Sequence, residues 1–277
     1  MNMERSATVD LVTYHRDGHV GLITLNRPEK RNAMSLVVWN ALDRAVTMAA
    51  EDPEARVILL SGAGKSFCAG LDLSPDNEII AMITGQANAS QKTDFYREVK
   101  RLQGIHTRLE RLSQPTIASI HGHCLGAGLE LALCCDIRLC SADTVLALPE
   151  ATLAIITDLG GLQRLPRVVG RGRAREIAFR GHRFDAQHAL IINLVNEVYR
   201  DKATLDVKVM ELALEIADNP PLAVQGAKDV FLFNDEASTD QALDYNAARS
   251  SMIIPSNDLF EAMSAYLEKR KGSFKGA

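Results

Sequence analysis

No stretch of the 277 residues approaches the ~18 continuous apolar residues of a transmembrane helix, so no spanning segment is expected. The opening run, MNMERSATVDLVTY, is polar and acidic and has no apolar core like that of a secretory signal. The closing SFKGA is neither a peroxisomal nor a retention signal. A cytoplasmic protein without membrane partners is therefore expected. Positive charge is not in excess either: 31 Lys and Arg stand against 35 Asp and Glu, a formal charge of −4. No global basic field draws in nucleic acid or an anionic membrane, so any phosphate-bearing partner must be met locally. Cysteine is sparse and odd in number. Cys68, Cys124, Cys134, Cys135 and Cys140 lie among apolar or small neighbours, as buried reduced thiols do, which suggests a reducing compartment.

Several catalytic motifs are missing. Gly64-Lys65-Ser66 looks like the end of a phosphate-binding P-loop, but position 59 is Leu where that motif requires Gly. Gly126-Ala127-Gly128 lacks the third Gly of a dinucleotide fingerprint. There is no G-x-S-x-G element, which weakens a serine hydrolase reading. His121-Gly122-His123-Cys124, with Cys134-Cys135 nearby, matches no zinc spacing, so packing is favoured and no metal is expected.

What is present is an ordinary globular composition, 47% hydrophobic and 24% charged, in one large domain or a domain with an appendage. Val9 to Tyr14 and His19 to Leu25 alternate about Arg16-Asp17-Gly18, which predicts strand, turn and strand. SLVVWNALDRAVTMAA from Ser35 predicts a helix behind a Ser cap, and RVILL over 56–60 a short buried strand. A Gly-rich loop over 61–72 and a polar stretch to about Lys92 lead into the amphipathic helix TDFYREVKRLQGIHTRLERL. TIASI over 116–120, a Gly-rich turn, a helix over 129–135 and a strand over 137–139 repeat the pattern. Beyond Asp158 the chain turns largely helical. The expected architecture is an α/β core over 1–200 followed by a helical region over 201–277 that packs on that core or on another subunit.

Charge is unevenly spread. By composition a 14-residue window holds about 3 charges, yet Gly122 to Cys135 contains only Glu130 and Thr144 to Thr157 only Glu150. An ionised carboxylate in apolar surroundings is costly, so it raises its pKa, finds a partner or serves chemistry. The plain alternative is that each Glu points outward from a half-buried element. Two such carboxylates could divide labour as acid and base. Asp158 closes the second window; sequence physics favours a helix N-cap there, and the alternative is a third carboxylate in the same pocket.

Two Gly-containing turns, Gly62 to Asp72 and Gly122 to Gly128, each follow a short strand and can expose backbone N–H groups. Two such donors converging on one oxygen form an oxyanion hole, worth about 2.7–4 kcal/mol per donor to a developing enolate. The segment Glu268 to Lys275 carries four positive charges. It is either a solvated helix end or, with Arg27, Lys30 and Arg31, a grip on the phosphates of a nucleotide-containing ligand.

LITLNRPEKRNAMS, SGAGKSFCAGLDL, PTIASIHGHCLGAGLELALCCDIRLCS, LPEATLAIITDLGGLQRLPRVVG and EAMSAYLEKRKGSFKG resemble, in order, successive signatures of the enoyl-CoA hydratase/isomerase (crotonase) superfamily. The resemblance runs from about residue 8 to the end. It implies a crotonase-like spiral of repeated ββα units with a C-terminal helical trimerisation region, assembled as a homotrimer or a homohexamer. It implies an unsaturated fatty acyl-CoA thioester as substrate and no metal or redox cofactor, coenzyme A being part of the substrate. The thioester carbonyl would lie between the N–H groups of Leu71 and Ala127, the latter standing where the family has Gly. Lys30, Arg31 and Ala69 would approach the CoA, while Tyr266 and Lys269 would reach a CoA on a neighbouring subunit.

Glu130 and Glu150, 20 positions apart, fall on the two hydratase glutamates. Yet TDLGGLQRLPRVVG, NPPLAVQGAKDVFLF and DQALDYNAARSSM look most like the dienoyl-CoA isomerase branch. In that branch an Asp at the position of Asp158 joins the Glu at 150 to move a 3,5-diene into 2,4-conjugation, whereas hydratases typically carry Gly there. Glu130 stands where the branch commonly has Asp, so the water-activating pair of a 2-enoyl-CoA hydratase is also complete. A non-catalytic acyl-CoA-binding homologue is a third, remote alternative. Residues Ser74 to Phe95 are expected to line the acyl path.

Overall fold

The computed structural model describes residues 10–85 and 88–277. The chain opens with an antiparallel hairpin, β1 (Val12–Asp17) and β2 (Val20–Leu25), turning at Gly18 with φ +57°. The first strand thus begins three residues later than expected, and Val9 lies outside the described residues. After a 3-10 turn over Pro28–Lys30, α1 (Leu36–Glu51) returns the chain to β3 (Val57–Gly62), which runs parallel to β2. Ser35 sits at the N-cap of α1, but its side chain makes no capping hydrogen bond. The helix is held by its buried stripe of Val38, Trp39, Leu42, Ala45, Val46 and Ala49, whose i, i+3, i+4 spacing faces the sheet.

The polar stretch before Lys92 contains a short helix that periodicity missed, α2 (Glu78–Thr84); residues 86 and 87 of the expected acyl path lie outside the described residues. The long helix α3 (Ala89–Glu110) follows, starting at an Asn88 capping box. From there the chain alternates between two sheets. β4 (Thr116–Ile120) and β6 (Ile137–Ser141) extend the large sheet, while β5 (His123–Leu125) and β7 (Val145–Ala147) pair in a small one, with α4 (Ala127–Ala132) between β5 and β6. A 3-10 turn over Pro149–Leu153, α5 (Gly161–Arg180), β8 (Phe184–Asp185), α6 (Ala186–Ile191) and β9 (Glu197–Tyr199) complete the core. The large sheet runs β1-β2-β3-β4-β6-β9, parallel apart from the first hairpin; the small one runs β5-β7-β8. This is the expected repeat of two strands and a helix, although strands of two or three residues gave too short a pattern to read.

Both faces of the large sheet are covered, which is why its parallel strands read as continuous apolar runs. Ile58 and Leu60 face α1, α3 and α4, while Val57, Leu59, Ile117 and Leu139 face Leu205, Val209 and Ala213 of α7 (Lys202–Ala217). The C-terminal helical region thus begins with a helix that closes the core. α8 (Pro221–Asn234), α9 (Thr239–Ile253) and α10 (Asn257–Glu268) follow, with Phe233 of α8 stacked on Tyr245 of α9 at 4.2 Å. Among the described residues, no helix is long and apolar enough to cross a membrane. All five cysteines are buried and unpaired.

One side chain ties the loop after β2 to the loop after β3. Asn32, fully buried with φ +56°, donates from Nδ2 to the carbonyls of Ala63, Ser66 and Phe67 at 3.0, 2.8 and 3.1 Å. Its Oδ1 accepts the Arg27 N–H at 2.8 Å. Asn is among the few side chains that tolerate this left-handed backbone. Asn32→Ala, which strands those groups and strains the backbone, is expected to lower stability by about 2–4 kcal/mol, and Asn32→Gly by somewhat less because the strain is relieved. Urea unfolding curves check both, and a loss below about 1 kcal/mol in each would refute the anchoring role.

Candidate active site

The site forms where the two Gly-containing loops meet. The loop after β3 runs beside β5: Cys68 N–H donates to the His123 carbonyl, and Leu125 N–H donates back to the Cys68 carbonyl at 3.0 Å. Gly70, at φ +89°, lies so close that a Cβ there would fall 2.7 Å from the Leu125 carbonyl oxygen. That same position is 3.8 Å from the Ala127 nitrogen, so Leu71 and Ala127 come from adjoining backbones. Among the described residues, neither Leu71 N–H nor Ala127 N–H donates to a backbone carbonyl. The chain turns from β5 into α4 at Gly126, φ +50°, where a Cβ would sit 2.6 Å from Glu150 Oε1. Glycine is required there so that the carboxylate can lie against the backbone.

Glu130, on α4, is 2% exposed. Its Oε1 accepts the N–H groups of Leu159 and Gly161, both at 2.9 Å. Burial pushes its pKa up to about 8, the two N–H bonds oppose that rise, and the nearby Glu150 and Asp158 charges add to it. The outward-pointing alternative is thereby removed for Glu130. Glu150 lies in the 3-10 turn, half-buried, and its Oε2 accepts the Thr157 hydroxyl at 3.1 Å. Its pKa is raised by burial, against its hydrogen bonds and with the charge of Asp158. Asp158 is half-buried and likewise raised by burial. The expected N-cap role is corrected: α5 starts at Gly161 behind Gly160, without a side-chain cap. The structure therefore brings the three sequence-expected carboxylates into one electrostatic neighbourhood.

Lys30, Arg31 and Ala69 also come together, since the Arg31 carbonyl accepts the Ala69 N–H at 2.9 Å and Lys30 Nζ donates to Ser74 Oγ at 2.8 Å. Tyr266 and Lys269 do not join them within this chain. Tyr266 is 84% exposed on α10, Lys269 follows the end of that helix, and no hydrogen bond links either to the Lys30 corner among the described residues. Several of the basic side chains of the tail and of the first loop have acidic partners within the chain. Arg270 is paired with Glu261 and Glu268, Lys271 with Asp218, and Arg27 with Asp72 at 2.6 Å. Those charges are already balanced within the chain.

Sequence reasoning missed Thr157, Gln103 and the Arg164–Glu110 pair, all of which support the site. For Arg164 the missed signal was available: it is the one charged residue in LGGLQRLP, the same isolation that marked the two glutamates.

The family model for enoyl-CoA hydratase/isomerase matches residues 15–277, and the chain belongs to that family. Over 275 residues it is 39% identical to the peroxisomal Delta(3,5)-Delta(2,4)-dienoyl-CoA isomerase of Arabidopsis thaliana, covering 99% of each chain. It is 33% identical to a short-chain-enoyl-CoA hydratase of Clostridium acetobutylicum, covering 94% of this chain and 95% of that one. The crystal structure of an enoyl-CoA hydratase from Bacillus anthracis superposes with a TM-score of 0.87 at 35% identity, covering 96% of this chain and all of the other. The spiral is the crotonase fold, and the chain falls with the isomerase branch of the superfamily, as the sequence resemblance implied.

Glu130 gives the chain a pH signature. Its carboxyl binds a proton near pH 8 when folded and near its ordinary 4.5 when unfolded, so between these limits the folded state holds the extra proton. Stability from this group is fully present below about pH 4.5, falls as pH rises to about 8 and then levels off. Glu130→Gln keeps the Oε1 acceptor and removes the titration. Its Tm gain over wild type at pH 8.5 is expected to exceed that at pH 5 by about 4 °C or more. Scanning calorimetry at the two pH values checks this, and equal gains would refute it.

Proposed function

We propose that this chain isomerises 3,5-dienoyl-CoA thioesters to their 2,4-dienoyl isomers. The observation that carries the proposal is the place of Asp158: it does not cap α5, and its neighbours in the 157–161 loop donate to both glutamates, Thr157 to Glu150 and Leu159 and Gly161 to Glu130. The N–H groups of Leu71 and Ala127 would polarise the thioester carbonyl and stabilise the enolate formed when a proton leaves C2. The electron pair released at C2 delocalises over the carbonyl oxygen, C2, C4 and C6, and a proton returns at C6, leaving double bonds at C2 and C4. Glu150 and Asp158 act as base and acid at the two ends. Burial raises both pKa values, and the charge of Asp158 adds to the rise at Glu150, which suits groups that exchange protons with the substrate.

Glu130 orients the site. Burial raises its pKa to about 8, so it holds its proton near neutrality while its Oε1 accepts the two N–H groups of the 157–161 loop. The resemblance to a dienoyl-CoA isomerase over nearly the whole chain supports this reading, while the resemblance to a hydratase makes 2-enoyl-CoA hydration the competing one.

No metal or redox cofactor enters this chemistry. Lys30, Arg31 and Ala69 would hold the CoA, and Tyr266 and Lys269 would reach one bound to a neighbouring copy in a homotrimer or hexamer. Exposed Phe260, Met263 and Leu267 on α10 support such an assembly. Five unpaired thiols suit a reducing compartment such as the cytoplasm.

The purified chain is expected to generate diene absorbance from a 3,5-dienoyl-CoA, and Asp158→Asn to lower kcat by about 10²–10⁴-fold. Unchanged turnover in Asp158→Asn, or faster hydration of 2-enoyl-CoA than isomerisation by wild type in a parallel assay, would overturn the proposal. Light scattering after size exclusion is expected to give the mass of a trimer or hexamer; a monomer would reject the neighbouring-subunit role of Tyr266 and Lys269.

A further inference from the structure

The loop over 157–161 carries Asp158 and supplies both N–H groups that hold Glu130, so whatever fixes this loop sets two carboxylates at once. It is gripped from three directions. Glu130 takes the Leu159 and Gly161 N–H groups from one side. From α3, Gln103 Nε2 donates to the Asp158 carbonyl at 2.6 Å. From α5, Arg164 Nη1 donates to the Leu159 carbonyl at 3.3 Å. Between them Gly160 stands at φ +108°, a backbone state that side-chain-bearing residues rarely adopt, and the space its Cβ would need is filled by Arg164 Nη1. Glycine and guanidinium are therefore fitted to each other.

Arg164 is itself fixed. It is 9% exposed, and its Nε and Nη2 donate to Glu110 Oε1 and Oε2 at 2.9 and 2.7 Å in a two-pronged pair. Nη2 also lies 3.4 Å from Thr107 Oγ1. Gln103, Thr107 and Glu110 occupy one face of α3, at the i, i+4, i+7 spacing. One helix face thus reaches the loop directly through Gln103 and indirectly through Arg164. The planar fork of arginine allows one side chain to bond a carboxylate with two donors and a carbonyl with a third.

We propose that Arg164, gripped by Glu110, is a positioning residue for the reaction: it sets the 157–161 loop, and through it the placement of Asp158 and of the N–H pair on Glu130. This rests on the reading of Asp158 and Glu130 as site residues. A merely structural staple between α3 and α5 would change stability alone. A positioning residue also changes kcat at nearly constant KM, because Lys30, Arg31 and Ala69 lie on other loops. It also changes the proton affinity of Glu130, since the two N–H donors favour the ionised form and loosening them raises the pKa.

The test compares wild type with Arg164→Gln, Gln103→Ala and, as control, Arg167→Gln, whose pair with Asp235 is on the surface. Steady-state kinetics on a 3,5-dienoyl-CoA are read beside a carbon-13 NMR titration of the glutamate carboxyls, the Glu130 signal being the one missing in Glu130→Gln. Arg164→Gln is expected to lower kcat by about 100-fold with KM changed by less than about twofold. Gln103→Ala is expected to lower it by about tenfold. In both the Glu130 titration moves to higher pH, while Arg167→Gln leaves kinetics and titration as in wild type. A folded Arg164→Gln with wild-type kcat and an unmoved titration overturns the proposal, as does a kcat loss with the titration unmoved. Should Arg164→Gln not fold, Gln103→Ala decides by the same two readouts. A wild-type chain inactive on the dienoyl thioester defeats the isomerase reading, whereas the titration still decides the role of Arg164.

Discussion

A carboxylate buried in a nearly apolar helix is the constraint around which the rest of this structure is arranged. Glu130 could not remain 2% exposed without partners, and the partners it has are two backbone N–H groups of a loop nearly 30 residues further on. That pairing draws the 157–161 loop against α4, and Asp158 is carried in with it. Burial then raises the pKa of each carboxyl, and their mutual repulsion raises Glu130 further. Protonation and geometry are thus two consequences of one packing arrangement.

The fold supplies this arrangement through repetition. From β4 onward successive strands alternate between the large and the small sheet, β4 and β6 in one and β5 and β7 in the other, and the loop after β3 runs beside β5. Close backbone approach at Gly70 and Gly128 lets them touch, each of these positions having too little room for a Cβ, and Gly126 leaves room for the Glu150 carboxylate. Asn32 locks a third loop, bearing Lys30 and Arg31, onto the same corner. The residues expected to meet the thioester carbonyl and those expected to meet the CoA therefore share one scaffold, built mostly from backbone hydrogen bonds.

The supporting layer is more polar than the apolar windows suggest. Arg164 and Glu110 form a paired, largely buried ion pair behind the site, and Gln103 reaches the loop from the same helix. Elsewhere, charge that looked free in the sequence is spent within the chain: Arg27 on Asp72, Arg270 on Glu261 and Lys271 on Asp218.

By itself the sequence determined the class of fold, the long helices, the buried strands and two of the three carboxylates, because period and local charge density are properties of adjacent residues. RVILL was legible as a buried strand and TIASI as a strand, and Glu130 and Glu150 stood out as lone charges in apolar windows. Strands of two or three residues, such as β7 and β8, were not, since so short a run has no period. Only the tertiary structure decided the place of Asp158, for which a cap and a pocket predict the same local sequence and only the backbone of Gly160 and Gly161 distinguishes them. It alone also chose the partners of Arg164, Asn32 and Arg270, because hydrogen bonds and ion pairs between residues far apart in the chain depend on distances that no local pattern records.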